Sequence, residues 1–178
     1  MLEQNSYGDI IVRASGEVFF VGKVYRAVIG KSGLLNNKKE GDGATPVGIF
    51  PIRKVLYRED RIKKPLSVFE TEKISPSDAW SDAVEDVANY NTQVSIPYHY
   101  HHEKLWRDED TYNIIVPLGY NDDLPIAGKG SAIFMHIART EYPPTEGCIA
   151  LSEVDLREIL QLANKETKVH VLSPEEVL

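Results

Sequence analysis

The residues best suited to chemistry lie in the last third of the chain. His136 closes an apolar run, Ser131-Ala132-Ile133-Phe134-Met135-His136, and Cys148 follows twelve residues later within Thr145-Glu146-Gly147-Cys148-Ile149-Ala150-Leu151. A thiol with a pKa near ~8.5 is only a few per cent ionised at neutral pH, so a nucleophilic cysteine needs a nearby base, and an imidazole supplies one. Gly147 permits close approach of backbone to a substrate, and the amides around Gly147-Cys148 suit an oxyanion hole. The bland reading is a core cysteine preceding Ile149-Ala150-Leu151 and a core histidine at a strand end. The residues by themselves leave both readings open. Cys148 is the one cysteine of 178 residues, which excludes an intramolecular disulfide and a multi-cysteine zinc site.

The elements that must position this pair read as mainly β. Ile10-Ile11-Val12, Val18 to Val21 and Val24 to Ile29 are β-branched and aromatic runs separated by Gly-containing turns, the pattern of hairpins. Residues 30–48 are polar and Gly-rich, ending in Thr45-Pro46-Val47-Gly48, and a further strand is expected over Ile49 to Leu56. Residues 58–92 read as a long irregular covering loop with one or two helical turns. Strands are expected near Gln93–Ile96, Tyr112–Leu118, Ala132–Ile137 and Lys168–Leu172. Arg139 to Pro144 supplies a turn that brings the strand of His136 back beside Cys148. One helix is clear: Ser152 can cap it, Asp155 stands three residues on, and Leu156, Ile159, Leu160 and Ala163 share one face. No repeat or linker divides residues 1–178, so one domain is expected.

Thr45-Pro46-Val47-Gly48, then Ser131 to His136, then Thr145-Glu146-Gly147-Cys148-Ile149 resemble the ordered motifs of the YkuD-type L,D-transpeptidase catalytic domain. The resemblance spans most of the chain. It implies a β-sandwich or flattened barrel, with Cys148 as nucleophile, His136 as its base and the backbone of Gly147 and Cys148 as oxyanion hole. It also implies that a carbonyl close after His136, Ile137 or Ala138, orients the imidazole. The implied substrates are peptidoglycan stem peptides or muropeptides, attacked through a thioester, with no metal or organic cofactor. Release of terminal D-alanine by an L,D-carboxypeptidase is the leading expectation. The alternatives are a cross-linking L,D-transpeptidase in the periplasm and an inactive stem-peptide binding module. An active Cys148 is expected to react faster than a model thiol, with the help of His136.

Two positions depart from the family pattern. Glu146 stands where the family has histidine, and Ala150 where it has arginine. The arginine is associated with a substrate carboxylate, so another cation is expected to take its place, with Arg139, Lys129 and Arg107 as candidates. Glu146 is expected to point away from sulfur, pair with a cation or meet a substrate ammonium. His99, His101, His102 and Glu103 invite a metal reading, but the spacing of a zinc site is missing, and they are expected at the pocket mouth or around Trp106.

Lys plus Arg is 20 and Asp plus Glu 27, a net charge of −7. That balance argues against non-specific binding to nucleic acid or an anionic membrane. No apolar run approaches the roughly 18 residues of a membrane span. The segment Met1 to Asp9 lacks a basic region followed by an apolar one, which gives a cytoplasmic expectation, or a periplasmic one if a leader has been removed.

Overall fold

The computed structural model describes residues 8–176, so the stretch 1–7, on which most of the leader reading falls, lies outside the described residues. The first strands are β1 (Ile10–Val12), β2 (Glu17–Phe20), β3 (Lys23–Val28), β4 (Leu34–Leu35), β5 (Thr45–Pro46), β6 (Gly48–Pro51), β7 (Val55–Tyr57) and β8 (Thr71–Lys73). They are followed by β9 (Asp78–Ser81), β10 (Gln93–Ser95), β11 (His102–Lys104), β12 (Ile114–Pro117), β13 (Phe134–Ile137), β14 (Ile149–Leu151), helix α1 (Glu153–Leu162) and β15 (Lys168–Val171). The hairpin β2–β3 turns on Val21 and Gly22, both with positive φ (46° and 72°), the two-residue geometry that matches strand twist.

Ten strands form one sheet in the order β6-β15-β1-β2-β3-β14-β13-β12-β7-β8. β6 and β7 stand nearly at opposite ends of that order, yet only residues 52–54 join them. A trans chain spans at most about 3.6 Å per residue, so the sheet must curl back on itself. Ile52, bridged to Leu118, marks the closure. The strand expected over Ile49–Leu56 is therefore two strands, divided where the chain crosses from one end of the sheet to the other.

The concave side holds the main core, built from Ile10, Val12, Val18, Tyr25, Val116, Met135, Ile149, Leu151 and Val169, with α1 adding Leu156, Ile159 and Leu160. Ser152 caps α1, its Oγ accepting the Asp155 N–H at 3.0 Å. A second cluster, Leu56, Ile74, Leu105, Tyr112, Ile115 and Phe134, packs on the other face of β7, β12 and β13. That face is covered by an insertion containing a small sheet, β10-β9-β11. The covering segment expected at 58–92 is there; it contains β8 and β9, no helix, and a single helical turn closed by the Ile62 N–H on the Arg58 carbonyl at 2.9 Å. β8 is short and polar, so no apolar alternation announces it, and the alternation of β9 is only four residues long.

Candidate active site

β13 and β14 run parallel, Met135 beside Ile149, His136 beside Ala150 and Ile137 beside Leu151. Alternation sends Met135, Ile137, Ile149 and Leu151 into the main core and turns His136, Ala150 and, one step earlier, Cys148 to the opposite face. The strand–turn–return expected from sequence thus places thiol and imidazole on one surface. Both line a cavity of about 870 Å³.

His136 is 9% exposed, and its Nδ1 lies 2.9 Å from the Ile137 carbonyl. A carbonyl only accepts, so Nδ1 carries the hydrogen and Nε2 keeps its lone pair. Of the two carbonyls expected to orient the ring, the structure selects Ile137. Tyr112 packs its ring edge against the imidazole, centroids 5.3 Å apart. The half-buried Cys148 donates its thiol hydrogen to the Ala132 carbonyl at 3.2 Å, and its Sγ accepts the Phe134 N–H at 3.4 Å.

Burial sets the charge state of the pair. Desolvation pulls His136 down to about 4, with Arg107 and Arg139 acting in the same direction. Desolvation pushes the Cys148 thiol up to about 12, and the Glu103 carboxylate adds to the rise. Both shifts favour the neutral forms of imidazole and thiol before substrate arrives.

The loop before Cys148 is tied down by the Thr-Pro-x-Gly segment. Thr45 Oγ1 accepts the Gly30 N–H at 2.9 Å and donates to the Gly147 carbonyl at 2.8 Å. Gly147 has φ +142°, and a Cβ there would lie 2.8 Å from the Ala44 carbonyl oxygen, so the crossing requires glycine. The Gly147 N–H already donates to Thr145 Oγ1 at 3.2 Å. The expected two-amide oxyanion hole therefore has one of its donors engaged.

The candidate cations separate. Arg139 lines the cavity and pairs with Glu109 at 3.0 Å on the surface. Arg107 lines it too, bonded to Glu103 at 2.6 Å, with its guanidinium 4.0 Å above the Tyr112 ring. Lys129 is exposed and does not line the cavity. Glu146 stands at the rim, paired with Lys31 at 2.8 Å. Ala150 lies beside His136 and lines the cavity with a methyl group, so position 150 offers no cation. His101 and His102 line the cavity, with His101 Nδ1 2.5 Å from Asp82, whereas His99 does not. Trp106 lines it as well as packing on the second cluster, under the Arg58 guanidinium at 3.5 Å.

Sequence reasoning missed Lys38 and Tyr112 in the cavity, and placed Glu103 near the pocket without its partners. Lys38 is buried and paired with Asp42 at 2.7 Å. Glu103 accepts the Tyr112 hydroxyl at 2.5 Å as well as Arg107, and burial raises its carboxyl. Tyr112 closes the trio. The one signal for it was the Glu103–Arg107 spacing, and nothing in the sequence placed that pair beside the thiol.

A sheet carrying a histidine and a cysteine on adjacent parallel strands, braced by a Thr-Pro-x-Gly crossing, defines a class. The model of the YkuD family, the L,D-transpeptidase catalytic domain, matches residues 10–171. The chain belongs to that family. Three solved structures are similar. Ldtfm as an avibactam carbamoyl enzyme is 16% identical, TM-score 0.44, over 94% of this chain and 49% of that one. The LD transpeptidase LdtMt1 in complex with imipenem is 13% identical, TM-score 0.41, over 93% and 59%. An L,D-transpeptidase from Mycobacterium smegmatis is 11% identical, TM-score 0.42, over 94% and 59%. The chain thus spans between half and three fifths of those chains. No curated protein matches it.

Proposed function

We propose that this domain is a cysteine acyltransferase acting on peptidoglycan stem peptides, and that water is its principal acyl acceptor, making it an L,D-carboxypeptidase that releases terminal D-alanine. The observation that carries the catalytic reading is the pairing of a fixed imidazole tautomer with a thiol on the same cavity face. Nδ1 is committed to the Ile137 carbonyl, so Nε2 is the free base on the cavity side. With both groups neutral at rest, the proton moves from sulfur to Nε2 as the bond from sulfur to the substrate carbonyl carbon forms. His136 then returns it to the leaving amine of D-alanine. The Cys148 N–H is the amide of the Gly147–Cys148 pair left to receive the oxyanion.

The preference for water rests on the charge of the cavity. Six carboxylates line it (Glu40, Asp82, Glu103, Asp108, Glu109 and Glu146) against four permanent cations (Lys38, Lys104, Arg107 and Arg139) and His101, which Asp82 holds toward its charged form, so acidic groups remain in excess. A net negative field stabilises an approaching amine as ammonium, which has no lone pair to attack a thioester. Water pays no such penalty. Among the cations, Arg139 is the best receptor for the substrate carboxylate. Its partner Glu109 is a surface pair that a substrate can displace, whereas Arg107 is held by the half-buried Glu103 and stacked on the Tyr112 ring.

Tetrapeptide supplied with and without a large excess of acceptor amine tests this directly. Tripeptide and free D-alanine under both conditions are expected. Predominant cross-linked dimer, or D-amino-acid exchange without tripeptide, sinks the carboxypeptidase reading.

A further inference from the structure

The sulfur's hydrogen-bond partners lie at the entry to β13, Ala132 just before it and Phe134 its first residue, and the insertion holds that entry. Ala132, whose carbonyl takes the thiol hydrogen, has φ +52°, a left-handed conformation that alanine adopts unwillingly. Its N–H donates to Asn91 Oδ1 at 3.0 Å. Asn91 is 5% exposed and itself left-handed, with φ +57°. Its Oδ1 also accepts the Trp80 indole N–H at 2.9 Å, and its Nδ2 donates to the Tyr120 and Asn121 carbonyls at 3.0 and 2.8 Å. All four positions of the amide are used. The side chain therefore locks three separate stretches, β9, the turn at 120–121 and the approach to β13, into one geometry. Trp80 adds a second hold, its ring edge-on to Phe134 at 5.0 Å between centroids.

We propose that Asn91 is a positioning residue for the nucleophile: it holds Ala132 so that the Ala132 carbonyl takes the Cys148 thiol hydrogen, docking the protonated sulfur until substrate displaces it. The inference rests on Cys148 being the nucleophile, and it gives the insertion a part in the chemistry beyond covering the sheet. A docked thiol commits its hydrogen to a backbone acceptor instead of His136 Nε2. The resting enzyme is thereby protected from stray electrophiles, and the proton reaches the base only when the sulfur is turned by a bound peptide.

The single cysteine makes the test direct, because the S–H stretching band in the Raman spectrum of the whole protein comes from Cys148 alone. Docked on a carbonyl, the wild-type band lies below that of a free thiol in solution. Asn91→Gly keeps the left-handed backbone without the side chain, and the band moves toward the free value. A hydrogen bond donated by the neutral thiol disfavours the thiolate, so its loss lowers the midpoint of the alkylation-rate pH profile by about one unit, roughly a tenfold faster reaction at a fixed lower pH. Tyr98→Phe is the control. It removes the bonds to Ser81 and Asp86 in the same insertion without touching Ala132, so it leaves band and midpoint in place even where it lowers Tm. A wild-type band at the free-thiol position overturns the proposal. So does an Asn91→Gly protein with band and midpoint unchanged and only its Tm reduced. If Asn91→Gly does not fold, Asn91→Ser takes its place and the wild-type band decides independently. These readouts need no turnover. Peptide turnover persisting in Cys148→Ala would instead overturn the nucleophile assignment and leave the docking intact.

Discussion

The two faces of β13 keep very different company. On one, Met135 and Ile137 join Val116, Ile149 and Leu151 in an entirely apolar core. On the other, His136 meets Tyr112, with Glu103, Arg107 and Cys148 around the same cavity. The backbone is shared and only the side-chain parity differs. The apolar face supplies stability that is indifferent to charge. The opposite face buries polar groups, each of which needs a named partner to avoid a desolvation cost: the Ile137 carbonyl for His136, the Ala132 carbonyl and Phe134 N–H for Cys148, and Glu103 of the insertion for Tyr112. A strand pinned on one side can thus carry ionisable groups on the other without losing its place.

The sharpest way to break this division is to substitute on each face in turn. Cys148→Ala should reduce tetrapeptide turnover to background and His136→Gln should reduce it by about 10²–10⁴-fold, with thermal melting close to wild type. Near-normal turnover in either variant removes the thioester mechanism. Met135→Ala, one residue from His136, should do the reverse. It deletes a side chain only 1% exposed and is expected to cost about 2–5 kcal/mol in denaturant unfolding while leaving turnover per folded molecule near wild type.

A third measurement sharpens the polar face alone. Unfolded, His136 binds a proton at its ordinary 6.5; folded, at about 4. Between those values the unfolded chain holds more protons. The stability tied to His136 is therefore fully present above pH 6.5 and is lost as pH falls toward 4, about 3 kcal/mol in all. The difference in unfolding free energy between wild type and His136→Gln, taken at pH 7 and pH 4.5, isolates this from the carboxylates. Parallel curves would mean that the imidazole is not held neutral. The smallest effect is expected at the rim. Arg139→Ala should raise KM for tetrapeptide by about tenfold, the scale of one charge-assisted hydrogen bond, while stability moves by less than about 0.5 kcal/mol because the Glu109 pair is exposed. An unchanged KM transfers the carboxylate to another cation.

The same parity explains what was legible in the sequence. The β1–β3 hairpins, the capped helix and β15 follow from local alternation, caps and turns. His136, Gly147 and Cys148 stand out because their chemistry is written in a short stretch of chain. β8 does not, since Thr71-Glu72-Lys73 carries no apolar signal and gains its place only by pairing with β7. Asn91 and Lys38 were equally silent, and Glu103 was placed near the pocket without its partners. Their roles come from long-range convergence on the cavity, which residue type and spacing do not encode. Lys129 fails for the converse reason: a cation near in sequence to the site lies off it in space.

β15 sits between β6 and β1, with Val169 beside Phe50 on one side and Ile10 on the other. Ribosomal synthesis delivers that strand after every other strand of the sheet. Until it emerges, β1 and β6 each present an open hydrogen-bonding edge, a template for pairing with a neighbouring chain. Its pairings are also among the longest-range in the molecule and therefore slow to form. The nascent protein accordingly passes through an interval in which it is prone to aggregation, and loss of the last dozen residues would make that interval permanent.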